Sequence, residues 1–138
     1  MATILSEEGG VNDPIVIVAA LLHDTIEDTK TTKQELEEKF GPEIAEIVAE
    51  VTDDKSLEKS VRKQRQVEHA AHLSVRAKIV KLADKISNVR DVATSPPSDW
   101  SIECRREYFE WAKRVVDSLG TVNEPLRASF ARQYKRKP

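Results

Sequence analysis

Ala19-Ala-Leu-Leu-His-Asp-Thr-Ile-Glu-Asp-Thr29 is the stretch on which the reading of this chain turns. An apolar run from Ile15 to Leu22 leads straight into His23-Asp24, and Glu27-Asp28 follows one helical turn later. Side chains at i and i+4 lie one above the other on a helix. A helix here therefore sets Glu27 above His23 and Asp28 above Asp24. One imidazole and three carboxylates then crowd a small patch of surface beside an apolar core. Such crowding is costly unless a cation or strong hydrogen bonds offset it. A divalent metal is the simplest partner.

A second stretch completes the pattern far downstream, at Val80-Lys-Leu-Ala-Asp-Lys-Ile-Ser-Asn-Val-Arg-Asp91. Ile79, Leu82, Ala83, Ile86 and Val89 form an apolar stripe at helical spacing. Asp84 borders that stripe, with Asn88 at i+4 and Asp91 at i+7 on its own face. Joined to His23 and Asp24, Asp84 gives a mixed nitrogen and oxygen donor set. The imidazole suits Mn, Fe or Zn, and the carboxylates favour harder ions.

Outward from these two helices the chain reads as helix after helix. Met1 to Gly10 has the look of a last helical turn stopped by Gly9-Gly10. Asp13 is an N-cap with Pro14 at the first helical position, opening a helix to about Glu27. Residues 29–32 break it. Thr32 and Glu35 fit a capping box, and that helix ends at Phe40-Gly41. Pro42 opens the next, with Ile44, Ile47, Val48 and Val51 on one face. The acids of Val51-Thr-Asp-Asp-Lys55 form a turn. A basic helix follows over Leu57 to Leu73, its Lys59, Arg62, Lys63 and Arg65 being either a solvated face or a wall for an anionic ligand. The Asp84 helix spans Ser74 to about Ala93, with Lys78, Lys81, Lys85 and Arg90 read as its outward face. A loop stiffened by Pro96-Pro97 leads to a helix over Trp100 to Leu119, in which Trp111 reads as core. A last helix opens at Asn123 and ends in the basic, frayed Tyr134-Lys-Arg-Lys-Pro138. His69 and His72 have a chelating spacing but read as ordinary surface or partly buried histidines.

The totals agree. A chain of 138 residues with 33% charged residues, four glycines and few aromatics reads as one helix-rich domain, 1–138, able to bury a core. Its formal net charge of −2 excludes bulk attraction to nucleic acid or membrane. A single cysteine, Cys104, excludes an internal disulfide and suits a reducing compartment; with no His or Asp neighbour in sequence to mark a nucleophile, it reads as a structural thiol. The longest apolar run is too short to span a bilayer, and no leader stands before it, so a cytoplasmic location is expected. The fold expected is all-α, about six helices in an HD-domain-like bundle.

Four segments, AALLHDTIEDT (19–29), EVTDDKSLEK (50–59), AKIVKLADKISNVRD (77–91) and EYFEWAKRVV (107–116), resemble in order the HD-type hydrolase domain of the RelA/SpoT family. The likeness is strongest to its small stand-alone animal members, the metazoan SpoT homologues. That resemblance implies a helical domain holding one Mn²⁺ and removing the 3′-pyrophosphate from ppGpp and pppGpp; animal relatives raise NADPH as a further substrate. It implies His23, Asp24 and Asp84 as metal ligands and Glu27 and Asp28 as the acidic pair that activates water. Asn88 would face the nucleotide, and Lys59 and Tyr108 would contact it. Attack of water on the 3′-linked phosphorus would release pyrophosphate and leave GDP or GTP.

Two departures accompany the match. Relatives place a His-Pro motif, with the first metal-ligating histidine, in helices before the point matching Met1, and no His precedes His23 here. The site is thus expected one ligand short, on an N-terminally truncated bundle. Many relatives also carry an arginine where this chain has Cys104. A rival reading is a catalytically silent form that binds nucleotide or a partner protein. An HD phosphohydrolase with an unrelated substrate would keep the metal site, but not the DDKSLEK and EYFEWA segments.

Overall fold

The computed structural model describes the backbone of residues 1–28, 31–54 and 56–138, and the side chains of all of these except 24–28. A helical turn at Ile4–Glu8 precedes α1 (Pro14–Asp28), α2 (Lys33–Phe40), α3 (Pro42–Val51) and α4 (Lys59–His69). A 3₁₀ turn at Ala70–His72 leads to α5 (Val75–Thr94), α6 (Ile102–Leu119) and α7 (Glu124–Tyr134). The described residues contain no strand, as an all-α reading requires, and seven α-helices rather than about six. The expected break over 29–32 falls partly outside the described residues.

Short polar side chains set the helix starts. Asp13 Oδ1 accepts from the Ile15 N–H at 3.0 Å, Thr32 from Glu35 at 3.2 Å, Ser74 from Ala77 at 3.2 Å and Asn123 from Leu126 at 3.0 Å. Each satisfies a donor the first helical turn leaves open. Ser101 does the same for Cys104 at 3.1 Å, which is why α6 begins at Ile102 and not at Trp100. The basic helix is also shorter than its pattern, Lys59–His69 against Leu57 to Leu73. Asp54 Oδ1 takes both the backbone N–H (3.0 Å) and the hydroxyl of Ser56, and this local turn holds Asp54, Ser56 and Leu57 off the helix.

α5 is the axis of the bundle. It packs against α1, α3, α6, α7 and the N-terminal turn, and buries four residues in a row, Val80, Lys81, Leu82 and Ala83. A helix covered on all sides cannot keep a polar face in water. The expected outward face is therefore corrected at two positions: Lys81 is 6% exposed and Lys85 2%. Both ammonium groups reach partners that offset the loss of water, the Val51 carbonyl at 3.1 Å for Lys81 and the Asp84 carboxylate at 3.5 Å for Lys85. Around them Leu82, Ile86, Val89, Phe109, Leu119 and Leu126 are buried in one core, each contributing about 1.5–3 kcal/mol by leaving water.

The N-terminal turn contributes Ile4 and Leu5 to this core. Leu5 is fully buried, and the turn closes with a Gly9 N–H to Ile4 carbonyl bond of 3.1 Å. Gly9 itself has no room for a side chain, since a Cβ there would meet Leu126 Cγ at 2.8 Å. Arg90 of α5 makes a two-pronged contact with Glu8, at 3.1 and 2.9 Å, and the fully buried Ser129 of α7 also donates to Glu8. The basic C-terminus is less frayed than its composition implies. Glu110 of α6 accepts from the Tyr134 hydroxyl at 2.6 Å and from Lys137, folding the tail back on the bundle.

Candidate active site

The α1 and α5 helices bring His23 and Asp84 together. His23 is 3% exposed, and its Nε2 lies 3.6 Å from Asp84 Oδ1. On the other side of the carboxylate, Lys85 Nζ is 3.5 Å from Oδ2 and the Asn88 amide donates to Oδ2 at a long 3.4 Å. Burial alone would raise the Asp84 carboxyl. The ammonium groups of Lys85 and Lys81, with His23, outweigh it and hold Asp84 below its ordinary value. Asp84 is therefore ionised at neutral pH. Burial pushes Lys85 down to about 8 against the upward pull of Asp84.

These groups floor a cavity of about 290 Å³. The α4 helix supplies Lys59, Arg62 and Lys63 to one wall, an i, i+3, i+4 set that shares a face. The α6 helix supplies Tyr108 and Trp111 to the facing wall. Asp53 also lines the cavity, its Oδ2 accepting from Gln66 Nε2 at 2.6 Å. Of the two adjacent acids in this turn, Asp53 faces the site and Asp54 is spent on the turn. Five cationic side chains thus face two carboxylates among the described lining residues, a local excess of three positive charges in a chain whose net charge is −2. Such a concave, positive site selects a polyanion. Burial, then the nearby Asp84 charge, raise the Tyr108 phenol, so its hydroxyl stays protonated and can donate.

The expected residues divide accordingly. His23, Asp84, Lys59, Asn88 and Tyr108 meet at this one cavity. The side chains of Asp24, Glu27 and Asp28 lie outside the described residues, although α1 runs through all three positions. His69 and His72 are exposed and away from the donor pair, as expected. Arg62 and Lys63, read as either a solvated face or a wall for an anionic ligand, line the cavity, whereas Lys81 and Lys85 were not read as site residues. Their spacing carried a signal, however: Lys59 and Lys63 at i, i+4, and Lys81 and Lys85 bracketing Asp84, put cations on the faces that meet.

The donor chemistry fits a divalent cation. An imidazole nitrogen and an ionised carboxylate oxygen 3.6 Å apart can both bind one ion at ordinary ligand distances of about 2.0–2.2 Å. Ligation requires the deprotonated carboxylate, which is the form the surrounding ammonium groups favour. The described residues contain no group of three His, Cys, Asp or Glu side chains placed for a metal. The further donor expected, Asp24, lies outside the described side chains.

An all-helical bundle with a histidine and a distant aspartate paired beneath a cationic cavity defines an HD-type domain. A family model described as HD domain matches residues 1–114, and the chain belongs to that family, in the branch of the metazoan SpoT homologues. Guanosine-3′,5′-bis(diphosphate) 3′-pyrophosphohydrolase MESH1 of Danio rerio is 56% identical over 134 residues, 97% of this chain and 74% of the relative. The human protein of the same name is 48% identical over 137 residues, 99% of this chain and 76% of the relative. Among solved structures, a metazoan orthologue of SpoT that hydrolyses ppGpp and plays a role in starvation responses superposes with a TM-score of 0.93 at 47% identity. It covers 98% of this chain and 76% of that one. Among the described residues, no helix is long and apolar enough to cross a membrane.

Proposed function

We propose that this chain is a metal-dependent hydrolase that removes the 3′-pyrophosphate of ppGpp, yielding GDP and pyrophosphate. One observation carries the reading: the His23–Asp84 donor pair opens into a cavity walled by Lys59, Arg62, Lys63, Lys81 and Lys85. Such a site fits a ligand with several phosphate charges beside a cation. The MESH1 relatives and the solved orthologue named for this reaction support the same substrate.

His23, Asp24 and Asp84 are the residues that would hold Mn²⁺. Bound there, the cation would lower the pKa of water and offset phosphate charge. Lys81 and Lys85 keep Asp84 in its ligating form. Lys59, Arg62 and Lys63 neutralise the diphosphate, and Asn88 and the protonated Tyr108 hydroxyl orient the nucleotide. Glu27 or Asp28, one turn beyond His23 and Asp24, takes a proton as water oxygen attacks the 3′-linked phosphorus. The bond between that phosphorus and the 3′ oxygen breaks, the oxygen takes up a proton, and pyrophosphate departs.

The test is release of pyrophosphate from ppGpp by the purified chain with Mn²⁺, with Asp84→Asn and an EDTA-treated sample beside it. Release that both controls abolish is the expected result. Equal release from Asp84→Asn would overturn the assignment. NADPH run in parallel decides whether a terminal 2′-phosphate is also removed.

A further inference from the structure

The cations of the α4 wall are not held by carboxylates. Among the described residues no acidic oxygen lies within 4 Å of Lys59 or Lys63, whereas Lys85 and Arg90 each have an acidic partner. Aromatic rings take the place of acids. Lys59 Nζ lies 5.8 Å from the Trp100 ring centre, and Lys63 Nζ lies 5.5 Å from Tyr108 and 4.9 Å from Trp111. Lys85 Nζ, the partner of Asp84, lies 4.2 Å from the same Trp111 ring. Trp111 also grips α4 directly, because its indole N–H donates to the Lys63 carbonyl at 3.0 Å. The ring is buried, 6% exposed, so these contacts are shielded from water and toward the stronger end of their range.

The choice of partner has an electrostatic consequence. A carboxylate beside Lys63 would fix the ammonium but cancel its charge. A ring attracts the same ammonium through its quadrupole and carries no net charge. The side chain is then oriented while its full charge remains for a ligand. Pre-ordering matters here because an unrestrained lysine loses rotamer freedom on binding.

We propose that Trp111 is a positioning residue for the phosphate subsite, holding the Lys63 ammonium toward the cavity with its charge uncancelled, beside the Lys85 ammonium that Asp84 holds. This deepens the polyphosphate reading of the cavity and rests on it. Trp111 need not touch the substrate; it acts through the lysines, so its removal changes anion affinity by way of Lys63.

The experiment is titration of inorganic pyrophosphate into the intact chain in EDTA, followed by calorimetry, which reads anion binding without metal or turnover. The variants are Trp111→Leu, Trp111→Phe, Lys63→Ala and the double Trp111→Leu/Lys63→Ala, with circular dichroism giving the folded fraction of each. Trp111→Leu should weaken binding about 3–30-fold. Trp111→Phe, which keeps a ring and loses the indole N–H, should recover most of that affinity. The double variant should be little weaker than Lys63→Ala alone. Additive losses, or a Phe variant as weak as Leu at equal folded fraction, would overturn the positioning role and leave the hydrolase reading intact. Absence of saturable pyrophosphate binding by the unsubstituted chain would remove both. Should Trp111→Leu not fold, the Trp111→Phe and Lys63→Ala pair and their double variant decide by the same coupling.

Discussion

Glu8→Ala probes whether the N-terminal turn is integral to the bundle. Glu8 accepts two guanidinium bonds from Arg90 and the hydroxyl of Ser129. Arg90 is 33% exposed along its side chain and can return to water when Glu8 is removed. Ser129, fully buried, cannot, and a stranded buried hydroxyl costs about 1–3 kcal/mol. Adding the loss of partly screened charge-assisted bonds, the variant should be about 2–4 kcal/mol less stable. At this chain length each kcal/mol is worth about 3–4 °C in Tm, so thermal melts should fall by roughly 6–16 °C. A double-mutant cycle with Arg90→Met should show coupling of about 1–2 kcal/mol. The pH dependence has a definite sign. The Arg90 hydrogen bond holds the Glu8 carboxyl below its ordinary 4.5 in the folded chain. Its stabilisation is therefore present above the unfolded value and lost as pH falls through the folded one. Glu8→Gln should lose less stability than the unsubstituted chain over that acid range. A Tm change under about 3 °C for Glu8→Ala would refute the view that this lock anchors the turn.

Asp84→Asn in EDTA leaves Lys85 buried without its counter-charge, and urea denaturation at neutral pH should show a loss of about 3 kcal/mol. An unchanged midpoint would mean that the pair is not coupled in solution. Gly9→Ala drives a methyl into Leu126 and should lower stability by about 1–3 kcal/mol, read by the same melts; no loss would mean α7 shifts freely. Asn123→Ala removes both the α7 cap and the bond to the Gly9 carbonyl, at 3.0 Å each. About 1–2 kcal/mol should go with it, and hydrogen exchange should rise first in α7 and the N-terminal turn.

Much of the fold was legible because it is local. The caps at Asp13 and Thr32 and the 3.6-residue stripe of α3 each act within one or two helical turns, so residue order alone specifies them. His23 and Asp84 were also legible: a carboxylate or imidazole at the border of an apolar stripe must find a partner, and few residues along the chain could supply one. What residue order could not decide was the fate of the lysines on α5. A stripe of five apolar positions left Lys81 and Lys85 as an outward face. Only the packing of α1, α3, α6 and α7 around α5 left no outward face there.

The sequence by itself thus determined the helices, several of their starts and the need of His23 and Asp84 for a partner, since those follow from short-range geometry and the cost of burying polar groups. Tertiary structure alone decided where the charge collects. The net charge of the chain is negative, and the described lining of the site is positive because α4 and α5, distant along the chain, turn their lysines toward one cavity. It also decided that Lys63 is held by the Trp111 ring and Lys85 by Asp84. Quadrupole attraction and ion pairing act over a few ångströms of space, and no spacing along the chain encodes which distant side chains will stand that close.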